Sequence, residues 1–78
     1  MKIQFLGHAC FMIVSGPYTL LIDPFLTGNP VQAARAEDVT PTHLFVTHGH
    51  DDHLGDALAI ADRCKPVVYA TVDTTRLF

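Results

Sequence analysis

The first part of the chain alternates between apolar runs and short polar breaks, a pattern that predicts three strands. Apolar and polar residues alternate over residues 2–6, which indicates a strand with one wetter face. Residues 10–14 and 19–22 are apolar on both faces, as in strands that are covered on two sides. The turn residues 15–18 separate these two runs, so we expect the runs to form a β-hairpin.

A long connection over residues 24–41 follows the hairpin. Gly28, Asn29 and Pro30 mark a turn, and residues 31–37 fit a short helix with Pro30 at its first position. A connection of this length in a compact domain is usually functional. The apolar residues 44–46 then predict a short buried strand.

The pattern changes to a helical period near Leu54. The apolar positions recur at i, i+3, i+4 and i+7, and they are Leu54, Ala57, Leu58 and Ala61. The residues off this stripe include Asp56, Asp62 and Arg63. We expect Asp51 or Asp52 to cap the start of this helix, Arg63 and Lys65 to suit the negative end of its dipole, and Pro66 to end it.

Residues 66–70 predict a further strand, and Asp73 with Thr74 predicts the cap of a last helix. The element order is therefore β-β-β-loop-β-α-β-(α). A hairpin followed by a βαβ unit predicts an α/β fold with a mixed β-sheet and helices on one face. We expect residues 1–78 to form one partial domain, because the last predicted helix has barely begun at Phe78.

Composition indicates a folded domain, with 49% hydrophobic and 17% charged residues. The formal net charge is −3 and the basic residues are scattered, which argues against a nucleic-acid partner. The longest apolar run, residues 9–14, is far shorter than the ~20 residues that span a bilayer. Cys10 and Cys64 lie in apolar contexts and are expected to be reduced core thiols. We therefore expect a cytoplasmic protein that does not enter a membrane.

The densest chemistry lies in the loop after residues 44–46, where His48, His50, Asp52 and His53 fall within six residues. Residues two apart in an extended segment point the same way, so His48 and His50 can present their rings to one ion. Asp52 and His53 follow a turn of the chain and face a second direction. One loop can thus supply two pairs of ligands to two neighbouring metal ions, and nitrogen with carboxylate oxygen suits zinc, manganese or iron.

The alternative is a polar loop whose histidines are incidental and whose aspartates cap the helix. Four candidate ligands between a buried strand and a helix start favour the metal site over this alternative. Asp51 is the exception, because it fits a helix cap or a solvated surface position equally well.

The motif His48-x-His50-x-Asp52-His53 resembles the signature of the metallo-β-lactamase-fold hydrolases. Residues 5–9, 21–25, 27–30 and 46–50 resemble the branch of metal-dependent hydrolases related to the ascorbate-6-phosphate lactonases. The resemblance covers essentially the whole chain but only the N-terminal part of such a protein. It implies the N-terminal part of an αββα fold.

The resemblance implies that His48 and His50 would bind the first metal, and that Asp52 and His53 would bind the second. It also implies that Asp52 would orient or deprotonate the attacking water. The family takes further ligands from later in the chain, namely two histidines and a bridging carboxylate. No counterpart follows His53 here, so the resemblance implies two divalent ions, most simply two zinc ions, with an incomplete ligand set.

The resemblance also gives roles to two residues upstream of the loop. Asp23 matches an acidic residue that ends an early strand and supports the metal loop from behind; the alternative is a strand-ending aspartate before a proline. His8 would lie near the mouth of the site, on the substrate side. The alternative for His8 is a turn histidine between two strands.

The expected function is hydrolysis of an ester, lactone or phosphoester bond in a small-molecule substrate by a water that two metals activate. The absence of Gly-x-Ser-x-Gly agrees with water as the nucleophile. The alternative is a non-catalytic fragment that binds metal weakly, or that associates with a complementary fragment or with itself through an exposed sheet edge.

Overall fold

A computed structural model describes residues 1–29 and 35–78, whose strands form one five-stranded mixed sheet in the order β1-β2-β3-β4-β5. The strands are β1 (Lys2–Gly7), β2 (Cys10–Ser15), β3 (Tyr18–Ile22), β4 (His43–Val46) and β5 (Val67–Ala70). The first three strands form an antiparallel meander, and β4 and β5 then add in parallel. The predicted α/β class and mixed sheet are therefore confirmed.

The helices are short: α1 (Asp51–Leu54), α2 (Ala57–Cys64) and α3 (Val72–Thr75). None of the helices in the described part of the chain is long and apolar enough to cross a membrane. A 3₁₀ turn covers Ala36–Asp38. The helix predicted over residues 31–37 falls mostly on residues 31–34, which lie outside the described residues.

The prediction of one continuous helix from Leu54 is wrong, because Gly55 separates α1 from α2. Gly55 has a φ of 45°, outside the right-handed helical region. The break resets the helical phase, so Ala57 and Ile60 are the buried residues of α2 and Leu58 is exposed. The predicted apolar face included Leu58 and omitted Ile60, because one helical period was assumed to continue through Gly55.

Both predicted helix caps are also wrong. His50 occupies the N-cap position of α1 with extended backbone angles, while Asp51 and Asp52 already lie in the first helical turn. At α3 the cap is Thr71, whose hydroxyl accepts a hydrogen bond from the backbone N–H of Thr74 at 3.3 Å. Asp73 and Thr74 lie two and three positions after this cap, inside the helix, whereas a capping residue must itself be non-helical.

The core lies between one face of the sheet and α2. Within residues 1–29 and 35–78 its buried apolar residues are Leu6, Cys10, Leu21, Leu26, Val39, Leu44, Val46, Ala57 and Ile60. Leu21 pairs with Leu44 across β3 and β4, and both side chains are fully buried in this core. Both cysteines are free thiols; Cys10 is buried as expected, whereas Cys64 is only partly buried.

The opposite face of the sheet is apolar but partly open. The strand register aligns one row across all five strands, namely Phe5, Phe11, Ile22, Phe45 and Tyr69. The rings of Phe45 and Tyr69 stack with centroids 4.8 Å apart, and those of Phe5 and Phe11 approach to 5.1 Å. We call this row the outer face; Phe5 at one edge and Tyr69 at the other are both about half exposed.

Candidate metal centre

The candidate site lies at the edge of the sheet where the parallel strands β3 and β4 end. Asp23 directly follows β3, and the loop from Thr47 directly follows β4. Since the carboxyl ends of parallel strands meet at the same edge, residues far apart in the chain become neighbours there. Asp23 and Thr47 are 24 positions apart and in direct contact.

Asp23 is buried and its carboxylate holds the loop at three points. Oδ1 accepts the backbone N–H of Thr47 at 2.7 Å. Oδ2 accepts the hydroxyl of Thr47 at 2.7 Å and Nδ1–H of His53 at 2.9 Å. The backbone of Asp23 has a φ of 48°, a conformation that aspartate tolerates better than most residues. Asp23 thus supports the loop from beneath, as a metal-bound imidazole requires of its partner.

The same contacts orient a second histidine. Thr47 donates its only hydroxyl hydrogen to Asp23, so its oxygen accepts Nδ1–H of His48 at 3.0 Å. Both His48 and His53 therefore carry a proton on Nδ1. In each ring Nε2 therefore carries a lone pair that can bind a metal ion.

The ligand atoms gather into two groups that share Asp52. His48, His50 and Asp52 offer atoms within 4.8 Å of one another, and so do His8, Asp52 and His53. The spacing predicted two separate pairs, and the geometry instead puts Asp52 within reach of both groups. Imidazole nitrogens with a carboxylate are a donor set that fits zinc, manganese or iron, so the residues present suit a divalent metal.

His8 lies beside this cluster, although it comes from the turn between β1 and β2. Its Nε2 is 3.5 Å from Oδ2 of Asp52, and its ring packs edge-on against Phe25 and His53. His43 is the one histidine of the chain that belongs to neither ligand group. It starts β4 and stacks on Tyr69, away from the loop.

Sequence reasoning missed Asp56, which it placed on the exposed side of a helix. Oδ2 of Asp56 accepts the backbone N–H groups of Leu26 at 3.0 Å and Thr27 at 2.7 Å. Its own backbone N–H donates to Pro24 at 2.9 Å. Asp56 therefore ties the segment after Asp23 to the start of α2. The glycine directly before it was the available signal, since it marks a helix boundary where an aspartate can bind backbone amides.

Cys10 is a buried thiol near the carboxylates of Asp23 and Asp56. Burial is the largest of the causes that together raise the pKa of this thiol to about 12, and the nearby carboxylates of Asp23 and Asp56 act in the same direction. A thiolate is therefore disfavoured, and Cys10 packs as a fully buried residue of the core.

The profile of the metallo-beta-lactamase superfamily matches residues 3–78. The chain belongs to this superfamily. It is 48% identical over 73 residues to a UPF0173 metal-dependent hydrolase of Symbiobacterium thermophilum, covering 94% of this chain and 33% of that protein. It is 50% identical over 72 residues to a UPF0173 metal-dependent hydrolase of Thermococcus onnurineus, covering 92% of this chain and 32% of that protein. The chain thus spans about a third of the length of these relatives.

Solved structures agree with the fold. Igni18, a metallo hydrolase from Ignicoccus hospitalis, superposes with a TM-score of 0.82 at 29% identity, over 96% of this chain and 35% of Igni18. The CmlA beta-hydroxylase superposes less closely, with a TM-score of 0.58 at 28% identity, over 92% of this chain and 16% of CmlA. The resemblance of the fold to the N-terminal part of the metallo-β-lactamase fold is therefore confirmed.

Proposed function

We propose that this chain carries the metal-binding and water-orienting part of a hydrolase that uses two divalent ions against an ester, lactone or phosphoester bond. The observation that carries the proposal is the pair of ligand groups sharing Asp52. Membership of a superfamily whose matched relatives are named metal-dependent hydrolases supports the reaction class.

His48 and His50 would hold one ion, and Asp52 with His53 would hold the other. Zinc is the simplest choice, with manganese and iron compatible with the same donors. Divalent ions bound here would lower the pKa of a water molecule and polarise the scissile oxygen.

The side chains of the chain itself supply position and proton handling. Asp52 is about half exposed and faces both ligand groups, so it is placed to orient or deprotonate the attacking water. Asp23 fixes the Nδ1–H tautomer of His53 directly and that of His48 through Thr47. This holds the Nε2 atoms toward the site before any ligand arrives, which reduces the reorganisation that binding requires.

For the substrate we propose a small cyclic ester, with a phosphorylated lactone as the first compound to test. The support is the resemblance of residues 5–9, 21–25 and 27–30 to the lactonase-related branch. We further propose a cytoplasmic location, supported by the two free thiols. No nucleic-acid or membrane partner is proposed, in keeping with the net charge of −3 and the scattered basic residues.

The test compares the wild-type chain with His50→Ala and with His43→Ala, the matched control at the far end of β4. Each is loaded with zinc or manganese, and bound metal is measured by mass spectrometry alongside hydrolysis of an aryl ester, a phosphorylated lactone and an aryl phosphodiester. We expect metal-dependent turnover that His50→Ala abolishes and His43→Ala retains. Metal bound without turnover of any substrate would contradict hydrolysis by this chain.

A second candidate is a non-catalytic module that associates through the sheet. The outer face favours it, because its apolar row crosses all five strands and is half exposed at both edges. Exposed apolar surface of this kind marks sites of association. We propose that a second copy of the chain covers the outer face in solution. This contact is separate from the association through the sheet edge that the sequence predicted. Metal binding without turnover, together with dimerisation, is the result that favours this candidate.

A further inference from the structure

We propose that His8 is a protein ligand of the ion held by Asp52 and His53. This inference rests on the metal site of the proposed function. It gives that ion three ligands from this chain, where the loop motif alone gives two. It also changes His8 from a substrate-side residue into part of the metal centre.

The first argument is placement. The candidate ligand atoms of His8, Asp52 and His53 all lie within 4.8 Å of one another. His53 has its Nδ1 occupied by Asp23, so its Nε2 is the free ligand atom. That Nε2 is 3.8 Å from Oδ1 of Asp52, and Nε2 of His8 is 3.5 Å from Oδ2 of the same carboxylate.

The second argument is the length of these contacts. A charge-assisted hydrogen bond between an imidazole and a carboxylate is about 2.7–2.9 Å long. Two ligand atoms around a tetrahedral ion, each about 2.0–2.1 Å from it, are about 3.3 Å apart. The observed 3.5 Å between His8 and Asp52 is closer to the separation of two ligands than to a direct hydrogen bond. The contact between Nε2 of His53 and Oδ1 of Asp52, at 3.8 Å, is likewise longer than a direct hydrogen bond.

The third argument is the backbone that presents His8. Its φ is 56°, which is uncommon for a residue other than glycine. The pairing of β1 with β2 shifts register between Phe5 and Gly7, immediately before it. A bulge of this kind re-aims the following side chain and often lies beside an active site. The ring is then held by edge-on packing against Phe25 and His53.

The test is a cobalt(II) titration of the wild-type chain followed by its visible d–d absorption, which reports the ligands directly and needs no turnover. The equivalent of bound cobalt that is lost in His53→Ala is the one that binds at this site. His8→Gly then removes the imidazole while keeping a residue that adopts positive φ without strain. We expect His8→Gly to lower the cobalt affinity of this site roughly 10- to 100-fold and to change the d–d bands of the cobalt bound there.

His43→Ala is the control and should leave cobalt affinity and spectrum unchanged. Circular dichroism of the metal-free variants checks that His8→Gly still folds, and His8→Asn, which also tolerates this backbone conformation, provides a second variant. If His8→Gly binds the His53-dependent equivalent with unchanged affinity and spectrum, the proposal is wrong. Cobalt binding that depends on His8 without any hydrolysis contradicts the proposed reaction alone, and a wild-type chain that binds no cobalt contradicts both.

Discussion

At the scale of single residues, one buried carboxylate organises the candidate centre. Asp23 accepts hydrogen bonds from the backbone and hydroxyl of Thr47 and from the ring of His53. Through Thr47 it also determines which nitrogen of His48 is free. A residue outside the histidine loop therefore decides the orientation of two of the loop's candidate ligands.

We expect Asp23→Asn to weaken metal binding roughly 10- to 100-fold, because an amide at this position points N–H groups at Thr47 and His53, which are themselves donors. Isothermal titration with zinc measures the change. Asp62→Asn is the matched control, since the side chain of Asp62 is 88% exposed and remote from the loop. Equal zinc affinity in Asp23→Asn and wild type would show that Asp23 does not support the centre.

A second residue-scale prediction concerns Cys10, because burial and, to a smaller extent, the carboxylates of Asp23 and Asp56 together raise its pKa to about 12. The folded state therefore holds the thiol proton to a higher pH than the unfolded state does. The contribution of this thiol to the free energy of unfolding is fully present below the ordinary thiol pKa of about 8.5, and it is lost as the pH rises toward 12. Urea unfolding between about pH 8 and 11 should show a steeper loss of stability in wild type than in Cys10→Ala. Identical slopes would contradict this, and Cys64→Ala serves as the control.

At the scale of elements, α2 is joined to the chain on both sides of residues 30–34 by side chains at its two ends. Asp56, at the start of α2, binds the backbone of Leu26 and Thr27. Arg63, near the end of α2, donates to the carbonyl oxygens of Glu37 and Val39. The sequence had placed Arg63 near the helix dipole only. These contacts tie the long connection to the helix behind the metal loop.

We expect Gly55→Ala to destabilise the fold, because a Cβ there would lie 2.4 Å from Cα of Phe25 and 2.6 Å from the carbonyl oxygen of Pro24. Gly16→Ala is the matched control, since Gly16 also has positive φ but has no atom within 4 Å of its added Cβ. The close approach should cost Gly55→Ala about 1–3 kcal/mol more than the control. Chemical denaturation of both variants measures the difference, and equal losses would show that backbone strain alone matters.

At the scale of the whole molecule, the sheet is covered on one side and open on the other. The helix side holds the buried core, with Leu44 and Ile60 fully or almost fully buried. The outer face leaves Phe5 and Tyr69 about half exposed. A chain of 78 residues buries a modest share of its surface, so covering this face should contribute appreciably to its stability.

We expect the wild-type chain to self-associate and the double variant Phe5→Lys with Tyr69→Lys to shift it toward monomer. Charges on the outer face would have to be desolvated on association, whereas neither residue belongs to the buried core. Light scattering after size exclusion over a range of concentrations measures the mass. Val72→Lys, on exposed α3, is the control and should not change the mass. A wild-type chain that stays monomeric at the highest concentration would exclude this association.

The sequence by itself determined where the five strands lie along the chain and where the candidate ligand loop lies. Turn residues and apolar runs are local signals, so β1 to β5 appeared within one or two residues of their observed bounds. The candidate ligands are likewise close together in the chain, within six residues: His48, His50, Asp52 and His53. Their roles as ligands stay a prediction that the metal titrations test.

The tertiary structure decided what depends on contacts between distant segments. Asp56 meets Leu26 across 30 positions, and no periodicity signals such a contact. The break at Gly55 follows from its close approach to Phe25, which a helical pattern read along one segment does not contain. His8 joins Asp52 only because the β1–β2 turn and the end of β4 meet at one edge of the sheet. Local order came from the sequence pattern, whereas the composition of the site came from how the sheet brings its strand ends together.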